Sequence, residues 1–262
     1  MTSPRLNYSQ YLQVDTILSA QQPRSVGPEH DELLFIIIHQ VYELWFKQML
    51  HEMDYLQKSL VNGDAARAVG TLRRILTILK TVVHQIDVLE TMTPLEFLSF
   101  RDFLESGSGF QSAQFREVEF ALGYKRLPML KHFESETDEY QRLLARYQAP
   151  SLWDSFLAFL AKSGVTGLQN ALQRDVTQPV TSNPAVQEAL VDVYRNRPEL
   201  MRVCESLVDL DEGLQEWRYR HVKMVARTIG DKQGTGGSSG VGYLASTIRP
   251  LFPDLWEIRT HL

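Results

Sequence analysis

Two histidines in this chain sit where an imidazole is costly unless it is used. His221 closes the block Trp217-Arg218-Tyr219-Arg220-His221 and falls on the stripe Val203, Leu207, Leu210, Leu214, Trp217, His221, Met224, Thr228. Steps of three and four residues line these side chains along one face of a helix, and a face that apolar turns toward a core. His39 lies in a second apolar run, on a face with Phe35, Ile38, Tyr42 and Phe46. Phe35 and His39 are four residues apart and therefore neighbours on that face. An aromatic ring beside an imidazole suits a flat apolar ligand with one N–H or O–H. Two core-facing histidines on separate helices point to a buried metal or cofactor, with one ring nitrogen on the metal and the other on an acceptor. A core histidine bonded to a backbone carbonyl would leave the same trace, and neither residue alone separates the two readings.

Spacing narrows the chemistry. His-Glu-x-x-His and Cys-x-x-Cys are both absent, so common zinc sites are unsupported. The paired Glu-x-x-His motifs of a di-iron bundle are missing too. His39, Glu43 and His221 remain as a candidate two-histidine, one-carboxylate iron site, which would need a carboxylate inside an apolar face. Without Cys-x-x-Cys-His, any haem is held non-covalently. The single cysteine, Cys204, stands beside the apolar stripe and reads as a small core residue. His30, His51, His84, His132 and His261 have polar neighbours and read as surface or capping residues.

Two further segments carry polar chemistry. Phe97 and Arg101 are four apart on a short helix, and arginine offers a planar two-pronged fork for a carboxylate. A surface ion pair with Asp102 or Glu105 is the plainer reading. The run Gly234-Thr235-Gly236-Gly237-Ser238-Ser239-Gly240-Val241-Gly242 follows the last long helix. It lacks the Lys-Ser or Lys-Thr of a phosphate-binding loop, and no strand precedes it as a dinucleotide fingerprint requires. Its glycines and hydroxyls suit a lid, or a flexible surface loop.

The elements that must position these groups are helical. The periodicity predicts helices over Tyr8–Leu18, Asp31–Val61, Ala65–Glu90 and Pro198–Ile229, with Asn62-Gly63 as a C-cap pair. Thr93-Pro94 opens a short helix, and others fall near Ser112–Leu122, Pro128–His132, Thr137–Arg146 and Ser151–Lys162; Arg174–Pro184 reads as a loop. Between Leu33 and Leu50 the second helix is apolar nearly all round, which predicts burial there. Arg218 and Arg220 turn off the stripe, toward solvent or anionic groups. No strand alternation or internal repeat is present. The reading is all-α: one domain over residues 1–262, a bundle of long antiparallel helices with short accessory helices, enclosing the ligand. A chain of 262 residues can bury such a core. The net charge of −5 argues against nucleic acid as main partner. No segment is apolar for long enough to span a bilayer, and the N-terminus lacks the apolar run of a signal peptide. With one cysteine and no possible internal disulfide, a soluble cytoplasmic protein is expected.

These pieces resemble one family. The blocks Tyr8-x-x-Tyr11-Leu12, Ser19-Ala20-Gln21-Gln22-Pro23, His30-Asp31-Glu32-x-Leu34-Phe35-Ile36-Ile37-x-His39-Gln40, Glu43-Leu44-Trp45, Phe100-Arg101-Asp102, Ser108-Gly109-Phe110-Gln111-Ser112, Trp217–His221 and Gly234–Gly242 resemble the tryptophan 2,3-dioxygenases of bacteria. They keep that family's order over nearly the whole chain, with residues 135–196 the least diagnostic. The resemblance implies one haem b per subunit and insertion of both atoms of dioxygen across the indole C2–C3 bond of L-tryptophan. The product would be N-formyl-L-kynurenine, the first step of tryptophan degradation by the kynurenine pathway. It implies that His221 is the proximal iron ligand, with Trp217 and Ser108 beside the haem. His39 would be the distal residue that meets the indole N–H. An indole N–H is a very weak acid, which favours a positioning role for His39. Phe35 and Phe97 would wall the indole, Arg101 would clamp the carboxylate, and Thr235 would reach the amino-acid end. Tyr8, Tyr11 and Leu12 would complete a neighbouring subunit's site, which implies a homotetramer. Position 97 departs from the tyrosine of some members, so a hydroxyl contact is missing there. A haem sensor without turnover, an enzyme for another indoleamine, and a purely structural bundle are the rival classes.

Overall fold

The computed structural model describes residues 5–105, 107, 111–230, 232 and 240–262. Among the described residues there are helices and turns but no strand. Chain entry is more broken than the periodicity suggests. The expected first helix is two, α1 (Tyr8–Leu12) and α2 (Val14–Leu18), because Gln13 between them takes the left-handed conformation with φ 53°. An Asn7–Gln10 capping box starts α1.

Three long helices form the frame: α3 (His30–Asn62), α4 (Ala65–Leu89) and α11 (Pro198–Ile229). Gly63, at φ 81°, ends α3 in the left-handed cap that glycine adopts without strain, and Asp64 caps α4 by accepting the Arg67 N–H. That two-residue link makes α3 and α4 antiparallel, with Tyr42 Oη donating to the Val82 carbonyl and Arg74 meeting Glu52. The ring contacts of Tyr42 and Phe46 with Trp217 set α11 antiparallel to α3 as well. Consequently α4 and α11 run parallel to each other, with Gly213 against Leu79, Arg220 on Asp87 and Arg227 on Glu90. Residues 90–197 carry the chain back to the starting end of the bundle. A Cβ at Gly213 would come within 3.0 Å of the Leu79 side chain, so glycine permits the close approach of α4 and α11.

Between the long helices lie α5 (Pro94–Arg101), α6 (Ala113–Ala121), α7 (Asp138–Gln148), α8 (Leu152–Lys162) and α9 (Gln169–Leu172). Then comes α10 (Pro184–Asn196), a helix the sequence reading left unassigned although Asn183 caps it and Pro184 opens it. The short α12 (Val241–Ser246) and α13 (Pro253–Glu257) follow α11.

The core is one large cluster built on Met53, Leu56, Leu60, Leu72, Ile75, Val203, Leu207 and Leu210, with a satellite around Phe120, Leu130 and Leu143. Truncating any of these fully buried side chains to alanine costs on the order of 2–5 kcal/mol. Cys204 sits in this core, free, with its thiol pushed up to about 12 by burial. The expected all-round burial of α3 between Leu33 and Leu50 does not hold in the single chain. Leu33, Ile37 and Leu44 are exposed, whereas the face with Ile38 and Phe46 is buried. One helix can turn only one side to α4 and α11; its opposite side needs another partner or faces water. Among the described residues no helix is long and apolar enough to cross a membrane.

Candidate active site

The N-terminal half of α3 and the C-terminal half of α11 face each other across a cavity with about 1660 Å³ of empty space, its mouth included. Its walls bring together Phe35, His39, Phe97, Arg101, Trp217 and His221. Residues from three distant stretches of sequence therefore converge on one space. Ser108 and Thr235 lie outside the described residues. Tyr8, Tyr11 and Leu12 lie on α1, exposed and away from this chain's own cavity.

The two histidines are set differently. His39 Nδ1 is 2.7 Å from the Phe35 carbonyl, one turn back on α3. A carbonyl only accepts, so Nδ1 carries the proton and Nε2 is left as an acceptor toward the cavity. Burial lowers the His39 pKa, partly offset by the Phe35 carbonyl and the nearby Glu43 carboxylate. His221 makes no hydrogen bond to any described residue. Burial, with His39 and Arg116 adding like charge, pushes its pKa down to about 4. Its ring stacks nearly parallel to that of Trp217, at 5.2 Å and 8°. The Trp217 N–H is buried without a formed hydrogen bond, leaning toward the Tyr42 hydroxyl that burial pushes up to about 12. An imidazole that lines a cavity, neutral, and without a hydrogen-bond partner among the described residues is a poor core residue and a ready metal ligand.

Above the cavity a cluster of rings forms a slot. The Phe35 ring is 4.1 Å from His39, 5.8 Å from Phe97 and 5.6 Å from Phe100. Phe97 and Phe100 meet edge to face at 5.5 Å, the preferred geometry for such pairs. Phe97 and Arg101 are both carried by α5, which a Thr93–Glu96 capping box and Pro94 start. This side of the cavity is apolar, and Arg101, one turn on from Phe97 along α5, lines the cavity beside it.

Sequence reasoning missed several wall residues. Glu43 does line the cavity, but its carboxylate accepts from Gln114 Nε2 at 2.8 Å. Among the described residues no three histidine, cysteine or acidic side chains group to hold a metal ion, which removes His39, Glu43 and His221 as a metal triad. Of the two surroundings expected for Arg218, solvent or an anion, the structure gives the anion: Arg218 is buried, bonded to Glu119 Oε1 at 3.0 Å and to the Thr247 carbonyl. Arg220 reaches Asp87 and Glu90, as expected of an arginine seeking anions. The i, i+3 spacing of Arg116 and Glu119 was visible in the sequence as a possible pair, at 2.5 Å in the structure. That Arg126 and Arg218 join the same carboxylate was not visible. His30, His51, His84, His132 and His261 are exposed, as read.

The chain has relatives among known proteins. Residues 2–165 and 169–262 match the family model for tryptophan 2,3-dioxygenase. The chain belongs to the tryptophan 2,3-dioxygenase family. It is 62% identical over 260 residues to the tryptophan 2,3-dioxygenase of Herpetosiphon aurantiacus, covering 99% of this chain and 100% of that protein. It is 55% identical to that of Anaeromyxobacter sp. (strain K), over 98% of this chain and 96% of that protein. It is 45% identical to that of Caulobacter vibrioides, over 98% of each. The blocks quoted from the sequence are thus parts of a likeness that runs end to end.

Proposed function

We propose that the protein is a haem-dependent oxidoreductase that cleaves the indole C2–C3 bond of L-tryptophan with dioxygen, yielding N-formyl-L-kynurenine. The observation that carries this reading is the asymmetry of two histidines on one cavity. Among the described residues His221 has no hydrogen-bond partner, whereas His39 has one nitrogen engaged by the Phe35 carbonyl. Membership of the family supports the substrate and the reaction.

The residues present fit a haem b. His221 would hold the iron, and Trp217, stacked against it, would fix the plane of its ring. Bound there, the haem would supply the iron that activates dioxygen toward the indole. The rest falls to side chains. His39 Nε2 accepts a hydrogen bond from the indole N–H and so sets which edge of the ring faces the reacting centre. Phe35 and Phe97 together wall one side of the indole, and Ile86, Leu89 and Val225 line the same cavity and keep water from it. Arg101 pairs with the substrate carboxylate. Thr235 and Ser108 belong to this reading at the amino-acid end and beside the haem.

The same reading makes the protein a cytoplasmic homotetramer acting as one unit over residues 1–262. The exposed Tyr8, Tyr11 and Leu12, with Leu33, Ile37 and Leu44, supply the apolar surface that neighbouring subunits would cover. Absorption spectra of haem-reconstituted, reduced protein test the reading, taken before and after L-tryptophan and then air. A Soret band that tryptophan shifts, followed by N-formylkynurenine absorbance, is the expected result. A haem band indifferent to tryptophan, with no product, would leave a haem protein of another function. No haem band would return both histidines to structural roles.

A further inference from the structure

Glu119 is a buried carboxylate, 1% exposed, at the wall of the cavity. Three guanidiniums converge on it. Arg116 and Arg126 meet Oε2 at 2.5 and 2.8 Å, and Arg218 meets Oε1 at 3.0 Å. Burial works against its ionisation, but Arg116, Arg126 and Arg218 outweigh it and hold the carboxyl below its usual range. A single buried anion thus fixes three cations that would otherwise repel one another.

Two of those arginines reach on to one small element. Arg126 Nη1 donates to Tyr243 Oη at 2.7 Å, and Arg218 Nη1 donates to the Thr247 carbonyl that ends α12. None of the residues of α12 is buried, so apolar burial does little to hold this helix in place. Yet Gly240, Tyr243, Leu244 and Thr247 form a side of the cavity. The α11 helix that bears His221 differs: Val203, Leu207, Leu210 and Leu214 anchor it in the core at 0–3% exposure. Removing the hub therefore frees α12 long before it frees α11.

We propose that Glu119 is a positioning residue for substrate binding: through Arg126 and Arg218 it docks α12 as a wall of the cavity, while His221 is placed independently by the core. The kinetic part of this rests on the tryptophan-cleaving reading above. It does not require Glu119 to touch substrate.

The test uses haem-loaded Glu119→Gln, and Tyr243→Phe as a milder change that deletes one hydrogen bond. The Michaelis constant for tryptophan rises about tenfold in Glu119→Gln and about threefold in Tyr243→Phe, with kcat and the substrate-free Soret band unchanged. In parallel, amide hydrogen exchange quickens at residues 241–247 and stays unaltered along α11. Unaltered exchange at 241–247 in both variants would overturn the proposal, as would a kcat loss with a constant Michaelis constant. If Glu119→Gln does not fold, Tyr243→Phe decides by the same two readouts. If the unsubstituted protein makes no N-formylkynurenine, the functional reading fails by itself, and the exchange measurement still decides whether Glu119 docks α12.

Discussion

The N-terminal half of α3 and the C-terminal half of α11 present one histidine each to the same cavity, and they present them in opposite ways. On α3 the backbone itself commits the imidazole: the Phe35 carbonyl takes the Nδ1 proton at 2.7 Å and the Phe35 ring stands 4.1 Å away. On α11 no described residue hydrogen-bonds the imidazole, and a parallel indole fixes its plane instead. A ring with one nitrogen spoken for is a directional acceptor. A ring with neither spoken for is suited to serve as a ligand. Both are neutral because burial disfavours the second proton, yet they are prepared for different partners.

Substituting each histidine breaks this comparison most directly. His221→Ala should abolish histidine ligation of the haem, with the loss of the ligated Soret band and a fall in turnover of about a thousandfold or more. Retained ligation and activity would show that α11 does not supply the ligand. His39→Ala should keep the haem spectrum and lower kcat/KM about 10- to 100-fold, mostly through weaker tryptophan binding, because one oriented acceptor is lost. A wholly inactive His39→Ala with normal tryptophan affinity would make His39 a proton-transfer residue instead.

Arg101→Ala sharpens the picture of the slot. The Michaelis constant for L-tryptophan should rise about tenfold or more, while tryptamine, which has no carboxylate, should bind equally well to both proteins. Equal losses for both ligands would mean that Arg101 shapes the slot rather than clamps a carboxylate. The smallest effect concerns pH. Burial holds the His39 pKa below its ordinary 6.5, so its neutral, accepting form persists to lower pH than in a free imidazole. Any acid-side loss of tryptophan affinity due to His39 should have its midpoint below 6.5, where His39 takes its second proton. A break at 6.5 or above that vanishes in His39→Ala would contradict the burial of that ring.

Much of the frame was legible beforehand, and the reason is periodicity. The stripe Val203–Trp217 is buried as its three-and-four spacing requires, and Gly63 ends α3 where Asn62-Gly63 signalled a cap. The failures share a different cause. Gln13 breaks the first helix although its residue type gives no warning, since a left-handed glutamine is set by what the chain must reach. Leu33, Ile37 and Leu44 read as core from hydrophobicity alone but face outward, because hydrophobicity along one helix does not say which of its faces packs against α4 and α11. Arg218 was expected to meet solvent or an anion, and the spacing could not say which, because its carboxylate partner Glu119 lies 99 residues away.

The sequence by itself determined the helices, the apolar faces, and the positions of His39, His221, Phe35 and Arg101 on them, since these follow from spacing along a single helix. Only the tertiary structure decided that His39 and His221 share one cavity and which charges share one buried carboxylate. It also decided that Phe97 and Phe100 stand against Phe35. Those outcomes depend on atoms brought together from distant segments, where burial sets the cost of every unpaired polar group and so selects the partners.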